Sequence, residues 1–146
     1  MKPYPHTYTT QASGPTTGSV TVTATGLPAI ETNSPPDFDG PEGFWSPETL
    51  LTSAVANCFI LTFRAIARTN GFDWKQLDCE VDGVLERVAG VTRFSAFTTR
   101  ATLTVGTGCD AEKAKKLLER AEKGCLIANS LLATRALEAT IVEAAA

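Results

Sequence analysis

The stretch Phe44-Trp45-Ser46-Pro47-Glu48-Thr49-Leu50-Leu51-Thr52-Ser53-Ala54-Val55-Ala56-Asn57-Cys58-Phe59 constrains this chain more than any other. Ser46 suits a helix N-cap and Pro47 the first helical position, where a missing N–H costs nothing. Glu48 falls in the first turn, where a carboxylate meets the positive end of the helix dipole. Leu51, Val55, Cys58 and Thr62 then recur at helical spacing, and Leu50, Ala54, Leu61 and Ala65 widen the stripe. The pattern predicts one long apolar helix from Pro47 to about Arg68, stopped by Asn70-Gly71. Cys58 falls mid-helix on a mostly buried face.

The flanks read as strands. Pro3 to Gln11 alternates loosely and predicts a first edge strand; Ser19 to Ala24 alternates Val with Ser and Thr and predicts a second; Ala29 to Thr32 is a short third. Residues 33–43 hold three Pro and two Gly and predict an ordered surface loop, packed through Phe38, Phe44 and Trp45. Beyond the helix, Leu77, Cys79, Val81, Gly83 and Leu85 alternate with charged residues in a half-buried strand to Val88. Ala89-Gly90 turns the chain into a return strand, Thr92 to Val105, with Phe97, Thr99, Ala101, Leu103 and Val105 on one face. Asp110 caps an amphipathic helix over Lys113 to Lys123 with Gly124 as its C-cap, one more turn starts at Asn129 or Ser130, and Ala136 to Glu143 is a last strand. Helices follow runs of strands instead of alternating with them, which predicts an α+β fold in a single domain, residues 1–146.

A formal charge of −3, with no stretch that concentrates Lys and Arg, argues against nucleic acid as a partner. The polar segment Met1 to His6 lacks the apolar centre of a signal peptide. The most apolar run, Ala54 to Phe63, is too short to cross a bilayer. Those readings place the chain in the cytoplasm, away from membranes, where thiols stay reduced unless they do chemistry.

Four cysteines, Cys58, Cys79, Cys109 and Cys125, occur without any CxxC pair, and the single histidine, His6, lies in the N-terminal segment, so a structural zinc site is not expected. Free cysteine packs as a small hydrophobe, and inert packing is the ordinary explanation for each. Cys79 fits it well, on the inward face of its strand. Cys109 precedes a helix on a surface turn. Cys125, between Gly124 and Leu126-Ile127 at an element boundary, is harder to explain by packing.

Gly40-Pro41-Glu42-Gly43, Trp45-Ser46-Pro47-Glu48-x-Leu50, Cys58-Phe59 ten residues after the glutamate, and Cys125-x-Ile127-x-Asn129-Ser130-Leu131 together resemble the OsmC/Ohr family, which comprises osmotically inducible protein C and the organic hydroperoxide resistance proteins. The resemblance extends over nearly the whole chain. It implies an OsmC-like α+β fold, antiparallel strands packed on a long central helix, in an intertwined homodimer with active sites at the subunit interface. It further implies a cysteine-based peroxidase that reduces organic hydroperoxides to alcohols. Carried over, Cys58 is the peroxidatic thiol, Cys125 the resolving thiol, and Glu48 part of the polar group that supports the thiolate. No bound cofactor is implied; a lipoyl-type dithiol or lipoylated reductant resets the enzyme.

Two features set conditions on that reading. Glu48 and Cys58 on one straight helix lie roughly 15 Å apart along it, so Glu48 acts through an intermediate cation or at the other subunit's site. Many members of the family also carry an arginine in the N-terminal strand region that pairs with the glutamate. This chain has none before Arg64, which points elsewhere on the helix, leaving Arg100 or Arg135 as the expected substitute. The missing arginine keeps a second class of function in view: a non-peroxidase dimer of the same fold that binds a small apolar or electrophilic ligand. A third reading is a small α+β protein whose thiols only pack.

Overall fold

Val20, Val22 and their flanking threonines form β2 (Val20–Thr23), the middle strand of an antiparallel sheet with β1 (Gln11–Ser13) and β3 (Ile30–Thr32). Ala12 lies opposite Val22, and Val20 opposite Thr32. The edge strand is shorter and later than the expected Pro3 to Gln11; Pro3 and Pro5 supply no ladder donors, and pairing begins only beyond them. Residues 33–43 hold one 3₁₀ turn, Pro36–Phe38. The segment is anchored by main chain, where Asn33 donates its N–H to the Trp45 carbonyl at 2.9 Å and Thr32 bridges Trp45, and not by the expected packing of Phe38, Phe44 and Trp45, whose side chains are exposed.

The computed structural model describes Met1 to Ala145, in two compact units that divide after Leu51. Helix α1 (Pro47–Thr69) starts in the first unit and continues through the second. Its start is a reciprocal cap: the Thr49 N–H donates to Ser46 Oγ at 3.2 Å while the Ser46 N–H donates to Thr49 Oγ1 at 2.8 Å. At its end the Phe72 N–H reaches the Ala67 carbonyl at 2.9 Å across Gly71, as a left-handed C-cap requires.

The second unit holds β4 (Gln76–Val88), β5 (Val91–Val105), α2 (Ala111–Gly124), α3 (Leu126–Asn129) and β6 (Thr134–Glu143). Ala89 and Gly90 both take positive φ, 49° and 81°, the two-residue turn whose twist suits an antiparallel hairpin. β4 pairs antiparallel with β5, whereas β6 lies parallel to β5, from Ala96 opposite Thr134 to Val105 opposite Glu143. A parallel neighbour needs a long crossover, and α2 with α3 provides it. The fold is α+β, with antiparallel sheets, one parallel closing pair and a long helix. Asp110 caps α2 by accepting the Lys113 N–H at 3.0 Å. Inside the sheet Leu77, Ala101, Leu103 and Val105 pack in one core with Leu117, Leu118 and Ala121 of α2 and the Phe59-Phe63-Ala67 stripe of α1.

Three further expectations change. The buried face of α1 is Val55, Phe59, Phe63 and Ala67, not the stripe through Leu51, Cys58 and Thr62; Leu61 is 50% exposed. A helix that is apolar nearly all round carries no period strong enough to choose a face, and the two phenylalanines, which remove the most apolar area from water, settle it. Phe63 is fully buried and meets Trp74 edge-on at 5.3 Å. Second, the turn after α2 starts at Leu126 and ends at Asn129, because Cys125 breaks the helix with extended backbone (φ −66°, ψ 103°). Third, α1 is among the described residues the one helix long and apolar enough to cross a membrane, at mean hydropathy 1.6, longer than the run Ala54 to Phe63 suggested. Only 22% of that span is buried, through the Val55-Phe59-Phe63-Ala67 stripe.

Candidate active site

Cys58 lies mid-helix on α1, half-buried, on the flank of the Val55-Phe59-Phe63 stripe. The C-terminal end of α2 comes down onto this part of α1. Gly124 faces Thr62 there: a Cβ on it would stand 3.4 Å from Cγ2 of Thr62, in ordinary packing contact. The break at Cys125 then turns the chain, and Sγ of Cys125, only 2% exposed, comes 4.0 Å from the Val55 carbonyl oxygen. Val55 and Cys58 are neighbours on one helical turn, so Cys125 is delivered to the Cys58 thiol. Thr62, one turn on, adds a hydroxyl 3.9 Å from Cys58 Sγ.

The two thiols are held differently. Burial pushes the Cys58 thiol up, but the Ile127 N–H, the Cys125 thiol, the Thr62 hydroxyl and the Leu126 N–H all favour its anion and bring it below the ordinary cysteine value. The Cys125 thiol is raised: burial and the neighbouring Cys58 outweigh the Ala128 N–H and the more distant charge of Arg135. Cys79, on the inward face of β4, is pushed up to about 11 by burial and by the charge of a Cys125 thiolate. Cys109 is also raised, by burial and by Asp110 and Glu143. Of four free thiols, one is tuned toward the thiolate and its neighbour holds its proton. A nucleophilic sulfur in contact with a second thiol can be oxidised and then closed to a disulfide without large movement of the chain.

Cys58 and Cys125 are thus brought together. Glu48 stands in the first turn of α1, ten residues of helix before Cys58, with Oε2 shielded from solvent. Arg100 is on the outer face of the sheet, bonded within its own chain to Asp82 at 2.6 Å and to Glu80. Arg135 is bonded to Glu122 and Asn129 beside the Cys125 turn. The groups that sequence reasoning missed are the N–H groups of Leu126 and Ile127. Main-chain donors leave no residue signature; the only signal was Gly124-Cys125 interrupting a helix. Among the described residues, no group of three His, Cys, Asp or Glu side chains stands ready to hold a metal ion.

The sequence profile described as OsmC-like protein matches residues 40–140, which takes in α1, both cysteines and most of the second unit. The chain belongs to the OsmC-like family. A Bacillus subtilis relative, the uncharacterized protein YmaD, is 27% identical over 100 residues, 66% of this chain and 67% of its own. In fold, this OsmC-like chain is similar to an OsmC-like protein of unknown function from Vibrio cholerae (TM-score 0.82, 17% identity, covering 92% of this chain and 99% of that one). It is also similar to an organic hydroperoxide resistance protein OsmC from Legionella pneumophila (TM-score 0.74, 21% identity, 94% and 97%). The thiol pair of this OsmC-like chain lies within the matched residues.

Proposed function

We propose that this protein is a thiol peroxidase that reduces organic hydroperoxides. The observation that carries the reading is the lowered Cys58 thiol held against the Cys125 thiol. The Cys58 thiolate attacks the distal peroxide oxygen; the O–O bond breaks, sulfur is oxidised to sulfenic acid, and the alkoxide leaves and is protonated to the alcohol. The Cys125 thiol then displaces the sulfenic oxygen as water and forms the Cys58–Cys125 disulfide. An external dithiol of the lipoyl type restores both thiols by exchange, and no bound cofactor is needed. Leu126, whose N–H faces Cys58, is 64% exposed, an apolar border that suits an organic hydroperoxide better than hydrogen peroxide. Chemistry that consumes reduced thiols fits the cytoplasm.

The test is thiol loss from reduced protein after one equivalent of cumene hydroperoxide, beside hydrogen peroxide. Loss of two thiols, faster with the organic peroxide, is expected; retention of all four would refute the peroxidase. The alternative of a non-peroxidase dimer that binds a small apolar or electrophilic ligand draws on the missing arginine; an apolar ligand gives no reason for a lowered thiol, and an electrophilic one gives none for a second thiol held beside it.

The same reading includes a homodimer. α1 offers a second apolar face, with Leu61 half exposed and Ala65 exposed, that a second copy would cover, and Glu48 would serve a site shared between subunits. Light scattering should give about twice 15.5 kDa. A stable monomer would remove the shared site.

A further inference from the structure

Arg135 opens the closing strand β6, and its guanidinium uses three of its five donors in one place. Nε donates to Glu122 Oε1 at 2.6 Å, Nη1 donates to Asn129 Oδ1 at 2.6 Å, and Nη2 donates to the Glu122 carbonyl. Glu122 and Asn129 are also the residues that hold the main chain of Cys125. The Cys125 N–H donates to the Glu122 carbonyl at 3.3 Å, and the Cys125 carbonyl accepts the Asn129 N–H at 2.9 Å. Asn129 closes the arrangement by donating Nδ2 to the Lys123 carbonyl at 3.1 Å. One planar fork on β6 therefore grips the chain three residues before Cys125 and four residues after it. The Arg135 and Glu122 side chains are 24% and 21% exposed, so water competes for the pair less than at the open surface.

We propose that Arg135 is a positioning residue of the Cys58 centre: by clasping Glu122 and Asn129 it fixes the turn that aims the Cys125 thiol and the Ile127 N–H at Cys58. The inference rests on Cys58 being the reacting thiol. Arg135 acts through the turn and not by its own charge, because every group that favours the Cys58 anion is an uncharged donor: Ile127, Cys125, Thr62 and Leu126. Around the pair, Cys125 is the titratable neighbour of Cys58, while Arg135 and Cys79 face Cys125. The fork geometry is specific to arginine, since a lysine ammonium supplies charge but not three coplanar donors at fixed spacing.

The experiment follows alkylation of Cys58 by iodoacetamide against pH in reduced protein, read by peptide mass spectrometry, for wild type, Arg135→Gln and Arg135→Lys. Loosening the turn weakens two donors to the thiolate, so both variants should move the Cys58 midpoint to higher pH and slow its alkylation at pH 7 by about fivefold. Cys109, remote from the clasp, should keep its profile. An unchanged Cys58 profile in either variant, with native circular dichroism, would overturn the proposal; a normal profile in Arg135→Lys alone would assign the effect to charge. Should the Arg135 variants not fold, Asn129→Ala, which removes one arm, must give the same upward shift, and its failure to do so overturns the clasp. No peroxide enters this measurement. A shifted profile in a protein inert to hydroperoxides keeps the clasp and removes the peroxidase, and an unshifted profile with intact turnover does the reverse.

Discussion

Cys58→Ser should reduce hydroperoxide turnover with a dithiol reductant on the order of a thousandfold or more. Serine fills nearly the same volume on a half-buried helix flank and can accept the N–H groups of Leu126 and Ile127, so the fold should survive the change. What it cannot do is ionise near neutral pH, and without an anion there is no attack on the distal oxygen. The other thiols offer no substitute. Cys79, pushed up to about 11, holds only a trace of thiolate at pH 7, and Cys109 is raised as well. Cys79→Ser and Cys109→Ser should accordingly retain turnover close to wild type. The measurement is consumption of cumene hydroperoxide in the presence of dihydrolipoate, with circular dichroism on the same samples. Substantial activity in Cys58→Ser would refute the assignment of Cys58.

That assignment shows how far the residues alone could lead. Ser46, Pro47 and Thr49 state the start of α1 in side-chain chemistry, and Asp110 does the same for α2, so both helices were legible. The alternation is regular from Leu77 to Gly83 and from Phe97 to Val105, with a register shift at Val84-Leu85 between, and the two strands and the Ala89-Gly90 turn follow from it. Cys58 and Cys125 were marked by motif. The face of α1 was not legible, because a helix with apolar residues on nearly every side leaves the choice to its packing partners. Nor was the source of the thiolate's stability. The missing N-terminal arginine directed attention to side-chain cations, whereas the donors that bear on Cys58 are main-chain N–H groups and hydroxyl or thiol hydrogens. Such donors belong to every residue and become special only when a turn presents them. A break between Gly124 and Leu126 was visible in the sequence; that it would be turned toward Cys58 depended on the Arg135 contacts, which join residues far apart in the chain.

Cys125→Ser separates the two roles that this turn combines. Serine is a better N-cap than cysteine, so α3 should keep its place at Leu126–Asn129, and its hydroxyl can still donate toward Cys58. The first oxidation should therefore proceed at close to the wild-type rate. The second step cannot, since a hydroxyl does not condense with a sulfenic acid to a disulfide. In wild type the resolving thiol is already at the reacting sulfur, and an external dithiol at millimolar concentration has to replace that held neighbour; turnover should fall about a hundredfold. Sulfenic acid should persist on Cys58 and be captured by dimedone as a single adduct, whereas oxidised wild type should yield a Cys58–Cys125 peptide and little adduct. Wild-type turnover in Cys125→Ser, or a map that joins Cys58 to Cys79 or Cys109, would contradict the pairing. The raised thiol of Cys125 is consistent with its place in this order of events: it keeps its proton, and donates it toward Cys58, until the sulfenic acid needs the proton to leave as water.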